Sequence, residues 1–225
     1  MFLVSNLLRH ISTGCLFIGT SIIIACGGGD TGIVDPETIT QDSINQATTD
    51  QDTIDWYIEN NFSNSQVVTE ESGIRYLLVR EGNGEVPDLN DIVSVNYTGR
   101  FLDDGVFDTT VEQTAIDSGI DVDGRVYNPI RFNYTLNGSE ISNTIAGFSE
   151  GLTAIMSMTD RDFDDSISET NAQRLFSKGS KALLFIPSAS AYGTRGTVNQ
   201  FGIQTGLIGP NTVLLFEFEM VTFRP

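Results

Sequence analysis

Two aromatic residues and one carboxylate are spaced so that they can share a small site. Residues 92–108 have the sequence IVSVNYTGRFLDDGVFD, in which apolar and polar residues alternate up to Tyr97. This period of two is typical of a half-buried β-strand. The Asp-Asp-Gly that follows favours a turn, after which the chain returns through Phe107 and Asp108. The segment predicts a β-hairpin on which Tyr97 and Phe107 face the same side, with Asp108 at the edge of an apolar patch.

The chain has too few His and Cys residues for most sites that depend on them. The chain contains one His and two Cys, which are His10, Cys15 and Cys26. If a signal peptide is removed before a lipidated Cys26, the mature chain has no His and no free thiol. Disulfides, Cys/His zinc sites, Ser-His-Asp triads and Cys nucleophiles are then excluded. Any chemistry must use carboxylates, hydroxyls, Lys, Arg or no titrating group, and we predict neither a metal nor a cofactor.

Several segments must fold around the hairpin to position these residues. Alternating or continuous apolar runs predict strands at 72–79, 129–136, 181–187 and 213–223. In residues 145–158, apolar residues recur at helical spacing, which predicts the one helix of the core. Two polar insertions are expected, near 109–128 and 160–180. The second begins DRDFDDS, but it lacks the Gly and Glu that a calcium loop needs, so a solvated acidic loop is favoured, with a helical turn considered at 170–176.

The N-terminal region has the layout of an export signal. Arg9 and His10 precede an apolar run that ends at Ala25, directly before Cys26. This resembles a bacterial lipoprotein signal, in which the Cys becomes lipidated after cleavage. An uncleaved anchor helix is the alternative, but the run is shorter than the roughly 20 residues of a bilayer span. We therefore predict a signal peptide at 1–25 and a flexible tether at 26–50.

A short helical extension is predicted at 51–68, before the main domain at 69–225. Asp52 can act as its N-cap, and Ile54, Tyr57 and Ile58 fall on one face. Trp56 lies in the same segment, either docked on the neighbouring domain or in contact with a client or a second subunit.

The net charge limits the classes of partner. With 12 Lys and Arg against 30 Asp and Glu, the formal charge is −18. Nucleic acids and anionic membrane surfaces both need a basic surface, so neither is expected to bind this chain unaided. Membrane attachment is expected only through a lipid on Cys26, and the oligomeric state is not determined by the sequence.

The motifs resemble those of FK506-binding-protein-type (FKBP-type) peptidyl-prolyl isomerases. The hairpin is similar to that family's V-x-Y-x-G-x-L-x-D-G-x-x-F-D pattern, with one spacing difference. It is followed in family order by GFSEGL at 147–152, AYG at 191–193, GLIGP at 206–210 and the closing strand LLFEFEM at 214–220. The resemblance implies an α+β fold in which an antiparallel sheet curls around a single short helix, with a pocket between them.

The resemblance also implies which residues form the pocket. Phe148 would be its aromatic floor, Ile145 would offer a backbone N–H, and Ile130 stands where the family usually has an aromatic residue. Asp108 would be the pocket carboxylate; the family's Arg partner has no clear match, with Arg125 the nearest candidate, so we expect Asp108 to lack this ion pair. The implied walls are Tyr97, Phe107, Tyr192 and Phe216, and the implied flanking loop carries Leu207 and Ile208. Aromatic residues on alternating strands are otherwise ordinary core, and Phe132, Phe185 and Phe218 are assigned to it.

Such a pocket implies isomerisation of the peptide bond before proline in polypeptide substrates. The sequence therefore predicts a lipid-anchored peptidyl-prolyl cis-trans isomerase that assists the folding of exported proteins. The alternative is a binding module that holds clients in the same pocket with little turnover. A carbohydrate-binding or adhesion lipoprotein is a third class, which the set of motifs disfavours.

Overall fold

The computed structural model describes residues 41–135, 141 and 144–225, and its main feature is one antiparallel sheet. The seven strands in these residues are β1 (Val68–Thr69), β2 (Arg75–Arg80), β3 (Ile92–Arg100), β4 (Val106–Thr109), β5 (Ile130–Asn133), β6 (Lys181–Ile186) and β7 (Leu214–Arg224). Their order is β1-β2-β6-β7-β3-β4, and β5 also pairs with β3.

Strand β3 is the centre of the pairing around the predicted hairpin. It pairs with β7 from Ile92 to Arg100, and its other edge is shared by β5 and β4. The β3–β4 register aligns Gly99 with Asp108 and shifts before Arg100. The predicted hairpin is therefore confirmed, with an irregularity next to its turn.

Helix α3 (Ala146–Ser157) packs on one face of the sheet, as its apolar spacing predicts. Phe148, Leu152, Ile155 and Met156 are buried along it. They belong to a cluster that includes Leu184 of β6 and the core residues Phe132 and Phe218. The predicted fold class, an antiparallel sheet curled around a single short α-helix, is confirmed.

Helix α1 (Gln41–Asn61) covers part of the other face of the sheet. Its buried Ile54, Tyr57 and Ile58 pack against Leu183 and Phe185 of β6. Successive β6 residues thus face opposite helices, which explains why this strand is apolar from Ala182 to Ile186.

The N-terminal boundaries predicted from sequence differ from the structure. Helix α1 already includes Gln41, so residues 41–50 of the predicted tether are helical and Asp52 is an interior residue instead of an N-cap. Trp56 is 61% exposed and does not dock on the sheet. Cys26, the signal segment 1–25 and the rest of the tether lie outside the described residues. Among the helices that are described, none has the length and apolar character of a membrane span.

The insertions are more ordered than their polar composition predicts. The first contains a short helix, α2 (Glu112–Asp117), which buries Ala115. The second is closed by a bridge between Thr159 and Arg174, and the helical turn considered at 170–176 is not formed. The sequence did not predict a small hairpin in the loop before β7, which is closed by a bridge between Val198 and Gln204.

Candidate functional site

A cavity of about 260 Å³ opens between helix α3 and the strands β3, β4 and β7. It collects residues that are far apart in the sequence but that share an apolar or aromatic character. Its lining consists of Tyr97, Phe107, Asp108, Ile130, Ile141, Thr144, Ile145, Phe148, Tyr192 and Phe216. A concave, mostly apolar site with a few polar groups is the usual form of a binding site for a small group or a side chain.

The floor and walls of the cavity are held by perpendicular ring contacts. Phe148 meets Tyr97 with a centroid distance of 5.4 Å and Phe216 with 5.0 Å, at interplanar angles of 79° and 84°. Phe107 meets Phe216 at 5.6 Å and 87°. Edge-to-face pairs in this distance range stabilise beyond their burial alone, so the rings fix one another's orientation.

Gly99 allows two of these rings to approach the backbone of β3. A Cβ atom at this position would lie 2.6 Å from the ring of Phe107 and 3.0 Å from that of Phe216. Any larger residue would push these rings out of contact, so the Gly of the hairpin motif is explained by the packing of the cavity wall.

Asp108 is fixed from both sides at the edge of the cavity. The Tyr97 hydroxyl donates to its Oδ2 at 2.5 Å, and the Arg125 guanidinium donates to its Oδ1 at 2.7 Å. Arg125 also donates to the Thr109 carbonyl at 3.0 Å and lies over the Tyr127 ring, 4.8 Å from its centroid. The expectation that Asp108 lacks its ion pair is therefore wrong, because Arg125 reaches it from the first insertion.

These contacts raise the pKa of both cavity tyrosines above the ordinary value. Burial raises the pKa of Tyr97, and its hydrogen bond to the Asp108 carboxylate raises it further. The pKa of Tyr192 is raised by burial and then by the charge of Asp108. The pKa of Arg125 is raised by its hydrogen bond to the same carboxylate. Both hydroxyls thus remain donors well beyond neutral pH.

The rim of the cavity carries the polar groups that a peptide could contact. Tyr192 is 38% exposed and follows the turn after β6. Ile145 stands at the N-cap of α3, where backbone N–H groups lack partners within the helix. In the described residues, no three His, Cys, Asp or Glu side chains gather in a way that could hold a metal ion.

Most of the residues implied by the motifs meet in this cavity, and two do not. Tyr97, Phe107, Asp108, Ile130, Ile145, Phe148, Tyr192 and Phe216 all line it. Leu207 is 60% exposed outside the lining, and Ile208 is buried in the core cluster that also contains Phe148. The structure therefore does not bring the predicted flanking loop to the cavity wall.

Three residues of the site were missed or left unassigned by sequence reasoning. Ile141 and Thr144 complete the wall beside Ile145, in a stretch without periodicity that could have indicated them. Arg125 is the only cationic residue between 109 and 128, and this was the one signal for its pairing with Asp108.

Comparison with known proteins yields one family. Residues 84–221 match the family described as FKBP-type peptidyl-prolyl cis-trans isomerase. A probable FKBP-type peptidyl-prolyl cis-trans isomerase FkpA of Neisseria meningitidis is 26% identical over 73% of this chain and 43% of its own length. The outer membrane protein MIP of Legionella longbeachae is 26% identical over 76% and 52% of the two chains.

Two further proteins are similar in sequence or structure. The FKBP-type 22 kDa peptidyl-prolyl cis-trans isomerase of Escherichia coli is 28% identical over 73% of this chain and 57% of its own length. The chain thus spans about half the length of these relatives. A peptidyl-prolyl cis-trans isomerase structure from Pseudomonas syringae covers 81% of this chain and 96% of its own, with 22% identity and a TM-score of 0.46.

Proposed function

The chain belongs to the FKBP-type peptidyl-prolyl cis-trans isomerase family, and we propose that it catalyses the cis-trans isomerisation of peptide bonds before proline. One observation carries this proposal: the rings of Tyr97, Phe107, Phe148 and Phe216 enclose an apolar cavity that has donor groups at its rim. A proline ring is a small apolar group and fits a cavity of this kind.

The proposed chemistry needs no acid, base or metal. Rotation of the peptide bond is opposed by a resonance barrier of about 18–20 kcal/mol. That resonance places negative charge on the carbonyl oxygen, which water stabilises in the planar ground state. An aromatic cavity removes the water, and the twisted state loses less because its charge separation is smaller. Lowering the barrier by about 5–8 kcal/mol would accelerate rotation by about four to six powers of ten.

Named groups take distinct parts in this proposal. The walls Tyr97, Phe107 and Phe216 exclude water from the amide, with Phe148 beneath the proline ring. The Tyr192 hydroxyl and the Ile145 N–H hold the substrate at the rim. Asp108 touches the substrate at the edge of the cavity. Because Arg125 balances its charge, Asp108 does not place an isolated negative charge beside the carbonyl oxygen. Ile130 forms an aliphatic wall, and the exposed Leu207 would contact only a more distant part of the substrate, while Ile208 is buried in the core and takes no part.

A prolyl-tetrapeptide assay on the full chain tests the proposal. The double variant Phe148→Ala/Tyr97→Ala removes the floor and one wall, and we expect its kcat/KM to fall at least about a hundredfold, since it loses the enclosure that desolvates the amide. Trp56→Ala is the matched control, because this aromatic residue is exposed on α1 and does not line the cavity. Equal activity in the wild type and the double variant would reject catalysis in this cavity.

A second function is favoured by one residue. Ile130 offers an aliphatic side chain where the family resemblance implies an aromatic one, so the cavity could hold a proline-containing client with little turnover. The same assay separates the two functions: saturable peptide binding without acceleration of isomerisation supports the binding module and contradicts the enzyme.

We further propose that the protein is anchored in the bacterial cell envelope through lipidated Cys26 and acts on exported polypeptides. The layout of residues 1–26 and the name of one relative, an outer membrane protein, support this location. Uncatalysed proline isomerisation takes tens of seconds, which is long enough to limit folding. Palmitate labelling should be lost in Cys26→Ser, and equal labelling of both proteins would contradict the anchor.

A further inference from the structure

Asp50 of helix α1 is a buried carboxylate that the proposed chemistry does not use. It is 2% exposed. Its Oδ2 accepts hydrogen bonds from the backbone N–H and the hydroxyl of Ser188, at 2.8 and 2.7 Å, and its Oδ1 accepts one from Gln46 at 2.7 Å. All three donors are neutral. A buried carboxylate is costly unless it is well hydrogen-bonded, and two of its three bonds tie Asp50 to the Ser188 turn.

The Ser188 turn leads directly to the rim of the cavity. Ser188 lies in the turn after β6, and its carbonyl accepts the Ala191 N–H at 3.0 Å. Tyr192 follows Ala191 and lines the cavity. The same turn packs against α3, since a Cβ on Gly147 would lie 2.9 Å from the Ser190 carbonyl oxygen. The position of Ser188 therefore sets the start of the segment that carries Tyr192.

Helix α1 also reaches the opposite side of the site. The Tyr57 hydroxyl donates to Asp104, in the turn between β3 and β4, at 3.3 Å. Two buried positions of one helix, Asp50 and Tyr57, thus contact the two turns that precede the wall residues Tyr192 and Phe107.

We infer that Asp50 is a positioning residue, which fixes Tyr192 at the rim of the cavity through its two hydrogen bonds to Ser188. This inference rests on the proposed isomerase function for its activity readout. It assigns helix α1, which lies on the far face of the sheet from the cavity, a part in the geometry of the site.

Substitution of Asp50 by Ala removes the acceptor of the two Ser188 hydrogen bonds, whereas substitution by Asn retains it. Asp50→Ala leaves the N–H and hydroxyl of Ser188 without their acceptor in a buried place, which permits the turn to shift. Asp50→Asn keeps an oxygen that can accept both bonds, while its NH₂ can donate to Gln46 after the amide of that residue turns. We expect kcat/KM to fall roughly three- to tenfold in Asp50→Ala, through KM, because misplacing a binding group weakens the oriented complex. Asp50→Asn should recover at least half of the wild-type value.

A double-mutant cycle tests whether the effect passes through Tyr192. The tetrapeptide assay is run on the wild type, Asp50→Ala, Tyr192→Ala and the combined variant, with Asp52→Ala as the control at an exposed position of the same helix. If Asp50 acts by placing Tyr192, its removal has no further effect once Tyr192 is absent. Equal losses in both backgrounds, or a loss in Asp50→Asn as large as in Asp50→Ala, would overturn the inference.

Two further measurements keep the test decisive. Ser188→Ala removes one of the two hydrogen bonds and should give a smaller loss of kcat/KM, even if Asp50→Ala fails to fold. Unchanged activity of Ser188→Ala would contradict the inference.

An inactive wild type would reject the proposed isomerase function instead, and the positioning of the Ser188 turn is then tested by amide exchange. The Ala191 N–H should exchange at least about tenfold faster in Asp50→Ala than in Asp52→Ala, as expected for a locally opened turn, and equal rates would overturn the inference.

Discussion

At the scale of single residues, the site depends on how one carboxylate is balanced. Asp108 accepts bonds from a tyrosine hydroxyl on one oxygen and from a guanidinium on the other. The Tyr97 hydroxyl is therefore committed to Asp108, which leaves the ring of Tyr97 to face the cavity. Among the described residues, the rim groups that the proposed function assigns to contact with a peptide are the Tyr192 hydroxyl and the Ile145 N–H.

The raised pKa of Tyr97 predicts a specific loss of stability at alkaline pH. The folded state keeps this proton at a pH where the unfolded chain, with a tyrosine pKa of about 10, has lost it. The stabilisation is complete below about pH 10 and disappears as the pH rises through the folded-state pKa. The free energy of unfolding, measured by urea denaturation from about pH 8.5 to about pH 11.5, should fall more steeply in the wild type than in Tyr97→Phe. The other tyrosines contribute equally to both proteins, so the difference between the two curves reports on Tyr97. Parallel curves would contradict the predicted contribution of Tyr97.

Arg125→Gln should affect activity more than stability. Both side chains of the Arg125–Asp108 pair are 36% exposed, so its loss should cost less than about 1 kcal/mol of unfolding free energy. It leaves the Asp108 charge unbalanced beside the partly negative substrate carbonyl oxygen, which weakens substrate binding, and we expect kcat/KM in the tetrapeptide assay to fall roughly three- to tenfold, through KM. Arg161→Gln is the matched control, because it breaks an exposed pair with Glu169 and does not line the cavity. A similar loss in both variants would show that the charge balance at Asp108 has no special part.

At the scale of elements, the sequence predicted what depends on local periodicity and missed what depends on distant partners. The hairpin of β3 and β4, helix α3 and strand β6 could be predicted because the spacing of apolar residues within each segment indicates its structure. The first half of helix α1 has the sequence QDSINQATTD, which offers almost no apolar stripe. It is supported instead by bonds between side chains four residues apart, such as Gln46 to Asp50, and by the buried contact of Asp50 with Ser188. The pairing of Arg125 with Asp108 depends on the path of an insertion, which no local pattern determines.

Helix α1 should contribute to stability through its inner face alone. Ile54 is completely buried against the sheet, and Ile54→Ala should lower the free energy of unfolding by about 2–4 kcal/mol because it leaves a cavity. Trp56→Ala, at an exposed position two residues away, should change it by less than about 0.5 kcal/mol. Urea denaturation of both variants measures this difference. A large effect at Trp56 would indicate that its ring is buried in solution, for example in a contact between two copies of the chain.

Gly151 in helix α3 sets two effects against each other. Alanine is a better helix former by about 1 kcal/mol. Its Cβ, however, would lie 2.3 Å from a methyl carbon of Leu184, in the fully buried contact between α3 and β6. Overpacking of this kind costs about 1–3 kcal/mol, so we expect Gly151→Ala to be net destabilising. Ser157→Ala, at an exposed position near the end of the same helix, should be neutral or stabilising in the same denaturation experiment, and a stabilised Gly151→Ala would contradict the tight packing.

At the scale of the whole molecule, α3 packs on one face of the sheet, α1 covers part of the other, and charged residues such as Lys181, Glu217 and Glu219 remain partly exposed. The cavity lies on the α3 face, while α1 covers part of the opposite face and contacts both turns that precede the wall residues Phe107 and Tyr192. The formal charge of the chain is −18, so we expect the cavity to be approached through a negative field that does not depend on any single residue.

This field predicts a preference among substrates that follows ionic strength. Tetrapeptides with Lys beside the X-Pro bond should have a higher kcat/KM than those with Glu, because the protein attracts the first and repels the second. The Debye length falls from about 30 Å at 0.01 M salt to about 3 Å at 1 M, so the ratio of the two kcat/KM values should decline towards the intrinsic preference of the cavity. A neutral Ala peptide serves as the control, since its kcat/KM should change little over the same range. A Lys-to-Glu ratio that is independent of salt would assign the preference to direct contacts at the rim, and an inverted ratio at low salt would contradict a negative field at the cavity mouth.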